Sequence, residues 1–160
     1  MDIFEFAIQM ECEGQDYYRQ LASKTTHDGI KKILIMLAED ELKHQQAVEK
    51  ARDTSSIMPE TAVLTNAKNV FRQMKDFGGD IDLSGNEESL YRHAMDLELK
   101  SRSFYRDKAD QVQTPEQKDL FLKLAAEEKK HYLLLSDLID FFTAPKTWLA
   151  DAEFEHLDEY

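Results

Sequence analysis

The chain has 160 residues, enough for one domain with a sizeable core and too few for a second. Lys and Arg number 20 against 32 Asp and Glu, and the net charge of −12 would repel a phosphate backbone or an anionic membrane surface, so nucleic-acid binding is excluded. A single cysteine, Cys12, rules out an intrachain disulfide and an all-thiolate metal site and fits a reducing, cytoplasmic setting, while no apolar run approaches the roughly 20 residues of a membrane span.

Five glycines, three prolines and 18 Leu against 4 Val favour helices over a sandwich or barrel. The first helix opens at Asp2, where Glu5 completes an acidic capping box, and is expected to run to about Ser23. A loop over 24–29 follows. The second helix carries Ile30, Leu34, Leu37, Glu41, His44 and Val48 at alternating spacings of four and three, one stripe that fades near Asp53. Residues 54–86 hold Pro59, Gly78, Gly79 and Gly85 and read as a long crossover with a short helix inside it. The third helix is expected from near Asn86 to about Val112. The fourth begins at Thr114-Pro115-Glu116-Gln117, with Thr as cap, Pro in the first helical position and Gln closing the box, and stops before Pro145. The leucines at 133–135 and the pair Phe141-Phe142 read as core or as a contact between two copies. Trp148, Leu149, Phe154, Leu157 and Tyr160 mark a short C-terminal helix in an acidic extension, 146–160, docked on a bundle formed by 1–145.

The chain repeats itself. Glu11 and Glu98, Glu41 and Glu128, and His44 and His131 are each separated by 87 positions, and the segments around them match: Ala7 to Glu11 with Tyr18-Arg19 against Ala94 to Glu98 with Tyr105-Arg106. Two duplicated helical hairpins joined by a crossover make an all-α four-helix bundle.

The charges on these helices sit where the period puts core. Glu11 lies on the stripe Ala7, Gly14, Tyr18; Glu98 on Ala94, Ser101, Tyr105; Glu128 and His131 interrupt Phe121, Leu124, Leu135, Leu138. A buried carboxylate without a partner costs several kcal/mol, and these stripes hold no Lys or Arg. Metal ions are the remaining source of positive charge. Glu-x-x-His puts a carboxylate and an imidazole one turn apart on one face, and two such motifs with two single glutamates give six candidate ligands: Glu11, Glu41, His44, Glu98, Glu128 and His131. Four carboxylates balance two divalent cations, so two metals per chain are expected. Hard oxygen donors with two imidazoles suit iron or manganese, and zinc can occupy such a site when abundant.

With these motifs the chain resembles the rubrerythrin-like branch of the ferritin-like di-iron carboxylate proteins over residues 1 to about 142. The resemblance implies a ferritin-like bundle in which the six residues hold two iron ions. Glu41 and Glu128 would bridge them, Glu11 with His44 would complete one ion, and Glu98 with His131 the other. It departs from rubrerythrins proper in two ways. The 160 residues lack the four cysteines of a rubredoxin domain, and Ser101 stands where those proteins carry an extra Glu. An external electron donor, such as a rubredoxin-type protein, is therefore expected.

Four further residues are candidates for supporting the ligands. Tyr18 and Tyr105 lie seven positions after Glu11 and Glu98 on the same face, and Asp40 and Glu127 stand four before His44 and His131, placed to orient an imidazole N–H. His27, His93 and His156 read as surface residues and Cys12 as an inert buried thiol. The functional expectation is a homodimeric di-iron or di-manganese oxidoreductase that reduces hydrogen peroxide or oxidises Fe(II) with dioxygen, as in oxidative-stress defence. A non-enzymatic metal-binding or iron-storage protein is the alternative, and a dimer-sized mass against a large shell separates the two. Hydroxylation of a hydrophobic substrate would want an exposed apolar membrane face that this charged chain does not obviously offer.

Overall fold

The computed structural model describes residues 2–53 and 85–143. The short helix expected within the crossover, the 146–160 extension and His156 lie outside the described residues. Four helices account for nearly all the rest: α1 Ile3–Lys24, α2 Asp28–Asp53, α3 Gly85–Lys108 and α4 Pro115–Thr143. There is no strand among the described residues. α1 packs along α2 and α3 along α4, and the two hairpins then meet more openly, α2 facing α4 and α1 facing α3. None of these helices is long and apolar enough to cross a membrane.

Local signals start the helices. Asp2 accepts from the Glu5 amide at 2.8 Å and the Glu5 carboxylate reaches back to the Asp2 amide, the expected capping box. At α4, Thr114 Oγ1 accepts from the Gln117 amide at 3.1 Å, and Gln117 Oε1 accepts from the amides of Thr114 and Gln113. The other end of that side chain goes further: Gln117 Nε2 donates to the Ala51 carbonyl at 2.9 Å and ties the start of α4 to the end of α2.

Two boundaries differ from expectation. α2 begins at Asp28, inside the expected loop, because His27 Nδ1 accepts from the Ile30 amide at 3.4 Å and His27 O from the Lys31 amide, so His27 acts at a helix start rather than as a plain surface residue. α3 ends at Lys108, four residues before Val112. The chain must reverse before Pro115, which disfavours helical backbone at Thr114, and the Asp110–Lys118 ion pair at 2.9 Å pins the turn to the first turn of α4.

The core forms two clusters. One, at the α1–α2 loop end, joins Ile33, Leu34, Leu37, Leu134, Leu135 and Leu138 with Tyr91, Phe141 and Phe142. The other, at the opposite end, joins Ala7, Val48, Tyr105, Phe121 and Leu124. Phe141, Phe142 and two of the three leucines at 133–135 are thus core. Each fully buried Leu or Phe contributes roughly 1.5–3 kcal/mol, which holds the four helices together on both sides of a polar layer between the clusters.

Candidate metal centre

That layer is made by Glu11 on α1, Glu41 and His44 on α2, Glu98 on α3, and Glu128 and His131 on α4, and none of the six is more than 3% exposed. They fall into two overlapping groups, Glu11, Glu41, His44, Glu128 and Glu41, Glu98, Glu128, His131, and within each group one carboxylate oxygen or imidazole nitrogen from every residue lies within 4.8 Å of the others. Glu41 and Glu128 belong to both groups. The six candidates named from sequence are therefore brought together, in two sets of four sharing two carboxylates.

The imidazoles point their Nδ1 atoms at this cluster. His44 Nδ1 lies 3.0 Å from Glu128, 3.5 Å from Glu41 and 3.6 Å from Glu11. His131 Nδ1 lies 3.1 Å from Glu41, 3.3 Å from Glu98 and 4.0 Å from Glu128. Each imidazole is nearest to a carboxylate of the other hairpin, and the two rings stack with centroids 5.4 Å apart.

The support residues are arranged differently from expectation. Tyr18 donates to Glu98 Oε1 and Tyr105 to Glu11 Oε1, the latter at 2.5 Å. Seven residues are about 10.5 Å along one helix, too far for a tyrosine to reach the glutamate on its own helix, so each hydroxyl crosses to the other hairpin. Asp40 likewise crosses: His131 Nε2 donates to Asp40 Oδ2 at 2.6 Å, while His44 Nε2 is 3.6 Å from the same oxygen. Asp40, His44 and His131 form a third compact acidic and imidazole group, but both Nδ1 atoms are turned to the glutamates, and behind the rings Asp40 hydrogen-bonds His131 alone. Glu127 does not take the corresponding role at His44; it pairs with Lys130 at 3.1 Å. Cys12 is half-buried rather than buried, donating to Gln45 Oε1 at 3.3 Å in a seam where Gln15 Nε2 bonds the same oxygen at 2.6 Å. Burial and the carboxylates around it push its thiol up, away from thiolate chemistry.

Without cations the layer balances its charge with protons. Burial and the charges of Glu11 and Glu98 hold the Glu41 and Glu128 carboxyls well above the usual range. Burial also opposes charge on His44 and His131, yet the surrounding carboxylates win and raise both well above an ordinary imidazole. At Glu98 burial is outweighed by the His131 charge and by hydrogen bonds from Glu128, His131 and Tyr18, leaving it at about 2. Glu11 is lowered against burial by Glu41, His44 and Tyr105. Both tyrosines, buried beside carboxylates, stay protonated donors. Protons on four groups whose lone pairs face one another are what metal ions displace. Glu11 Oε2 and Glu98 Oε2 moreover have no hydrogen-bond partner among the described residues, so the donor set fits two cations.

A cleft of about 610 Å³ between α1 and α3 leads to this layer. Tyr18, Glu41, Ala94 and Glu98 line its buried floor, and Phe6, Glu13, His93 and Lys100 its exposed mouth. Gly14 and Ser101, 87 positions apart and one turn past Glu11 and Glu98, keep it open. A Cβ on Gly14 would stand 3.5 Å from Glu41 Cδ, so α1 passes close over that carboxylate. Sequence reasoning missed the cleft, although two small residues at matching repeat positions were a readable signal for it.

The rubrerythrin family profile matches residues 2–139. No curated protein and no solved structure matches the chain significantly.

Proposed function

Because the chain belongs to the rubrerythrin family, a family of di-iron carboxylate proteins, we propose that Glu11, Glu41, His44, Glu98, Glu128 and His131 hold two iron ions and that the protein reduces hydrogen peroxide or oxidises Fe(II) with dioxygen. The observation that carries this reading is the pair of four-residue groups sharing Glu41 and Glu128. Glu11 with His44 would then hold one ion and Glu98 with His131 the other, with the shared carboxylates of Glu41 and Glu128 available to both. When bound, a reduced iron pair supplies two electrons to the oxidant.

The protein's own contribution is placement and proton control. Tyr18 and Tyr105 hold one oxygen of Glu98 and Glu11, leaving the second oxygen directed to a cation. Asp40 fixes His131 with Nδ1 toward the cluster, which also raises the basicity of that nitrogen. The two apolar clusters keep bulk water from both ends, and small oxidants enter through the α1–α3 cleft.

Electrons come from an external donor of the rubredoxin type, and the working unit is a homodimer. Manganese in the same ligands would keep a redox-active pair, whereas zinc, which has no redox chemistry, would give a protein that binds metal without peroxide turnover. Protein purified without added metal should contain about two irons per chain. Loaded anaerobically with Fe(II), it should reoxidise once per addition of peroxide and turn over only with an added reductant. Absence of reoxidation, together with assembly into a large iron-filled shell, would overturn the enzymatic reading in favour of storage.

A further inference from the structure

Peroxide and dioxygen need only a narrow channel, and the cleft is much larger than that. Its volume of about 610 Å³ falls within the roughly 300–1,000 Å³ of sites for small organic molecules. Its walls are chiefly apolar: Phe6, Met10, Tyr17 and Phe104 line it with Ala94 and Leu97, and Phe6 leans on Phe104 with ring centroids 4.9 Å apart. Phe6 remains 48% exposed at the mouth, a large apolar side chain left facing water. Past a mouth that also carries the exposed Glu13, His93 and Lys100, the polar groups gather at the floor, where Glu41, Glu98 and the Tyr18 hydroxyl meet the candidate metal centre and Glu98 Oε2 is buried without a hydrogen-bond partner among the described residues.

An apolar barrel ending on a small polar floor selects a molecule with an apolar body and a compact oxygen head. We infer that the α1–α3 cleft binds an organic hydroperoxide, its alkyl or aryl body between Phe6, Met10, Leu97 and Phe104 and its peroxide end toward Glu41, Glu98 and Tyr18. The substrate class rests on the peroxide reading above; the binding site does not. In the reaction the O–O bond breaks, two electrons from the external reductant and two protons from water are taken up, and the alcohol and water leave. Gly14 and Ser101 are then determinants of specificity, because bulk at either position would narrow the route to the floor too far for an organic body while still passing hydrogen peroxide.

Cumyl alcohol, the unreactive product of cumene hydroperoxide, serves as the probe. Calorimetry and ligand-observed NMR on the metal-loaded protein should show saturable binding. Ser101→Leu and Met10→Trp, which fill the cleft from opposite walls, should each weaken it at least about tenfold. The same variants should raise the KM for cumene hydroperoxide by a similar factor and change the rate of reoxidation by hydrogen peroxide less than about threefold. Thermal melts show that each variant is folded. Absence of saturable binding in the parent protein would overturn the inference, as would binding that neither folded variant weakens. If cumyl alcohol binds and the variants abolish it, but neither peroxide reacts, the peroxide reading fails and the binding site stands. If hydrogen peroxide reacts and the alcohol does not bind, only the cleft inference fails.

Discussion

The two hairpins carry the same ligand candidates at the same spacing and support them unequally. Glu11, Glu41 and His44 superpose in register on Glu98, Glu128 and His131, and the crossed tyrosines are equivalent. Behind the imidazoles the equivalence ends. Asp40 is buried and bonds the Nε2 of His131, whereas its repeat counterpart Glu127 pairs with Lys130, and His44 Nε2 has no hydrogen bond among the described residues. The lesson is that duplication preserved the groups facing the centre and let the groups one step behind diverge. The two candidate metal positions are therefore not equivalent, and the one beside His131 has the better-held imidazole.

The largest expected effect separates shared from unshared ligands. Glu41→Gln or Glu128→Gln removes a carboxylate common to both groups and should reduce bound metal from about two per chain to well below one. Glu11→Gln, which touches one group, should leave about one. Metal analysis after desalting reads the difference, and equal losses would show that no carboxylate is shared.

The next test removes the metals from both halves at once. In chelated protein Glu41, Glu128, His44 and His131 have folded values raised above their unfolded references of 4.5 and 6.5. The stability they contribute is complete below those references and lost as pH rises through the folded values. Glu11, Glu98 and Asp40 are lowered, so their contribution is present above their references and lost as pH falls toward about 2, the folded value of Glu98. Chelated protein should therefore be most stable near pH 5 and melt progressively lower as pH rises from there, whereas loaded protein should gain over the same range because protons compete with metal. Parallel melting profiles would mean that the layer does not titrate as a buried unit.

Asp40→Asn against Glu127→Gln sharpens the comparison at one position. The first should weaken metal binding about 10–100-fold and the second by less than about threefold, read by competition with a chelator. Equal effects would restore the symmetry of the two halves. Smallest are the caps. Thr114→Ala should cost about 1 kcal/mol, since the box it belongs to also ties α4 to α2, and Asp2→Ala about half of that at the exposed end of α1, both from denaturant unfolding.

What could be read in advance was what a single helix encodes. The stripe through Glu41, His44 and Val48 and the box at Thr114 depend on residues within a turn or two of one another, and both correspond to the observed helices, while the expected stop before Pro145 lies at the edge of the described residues. The end of α3 was overrun because Gln111 and Val112 are compatible with helix, and only the reversal before Pro115 excludes it. Partners across the bundle were not legible. Tyr18 and Asp40 were assigned to ligands on their own helices, since sequence spacing reports which face a residue occupies and not which helix it meets. Ser101 was read only as a missing carboxylate, whereas with Gly14 it is the reason that a cleft reaches the floor.

The crossed hydrogen bonds bear on how such a chain arises. A lone hairpin holds one glutamate of each kind, one histidine and a tyrosine that cannot reach its own helix's carboxylate. Two identical hairpins paired about a two-fold axis would satisfy each tyrosine with the other's glutamate and bring all six donors to the axis. A symmetric pair of half-length chains is thus already a complete site, and fusing them into one gene costs nothing at the centre. Fusion does free the groups behind it to become different, and Asp40 and Glu127 are a record of that freedom.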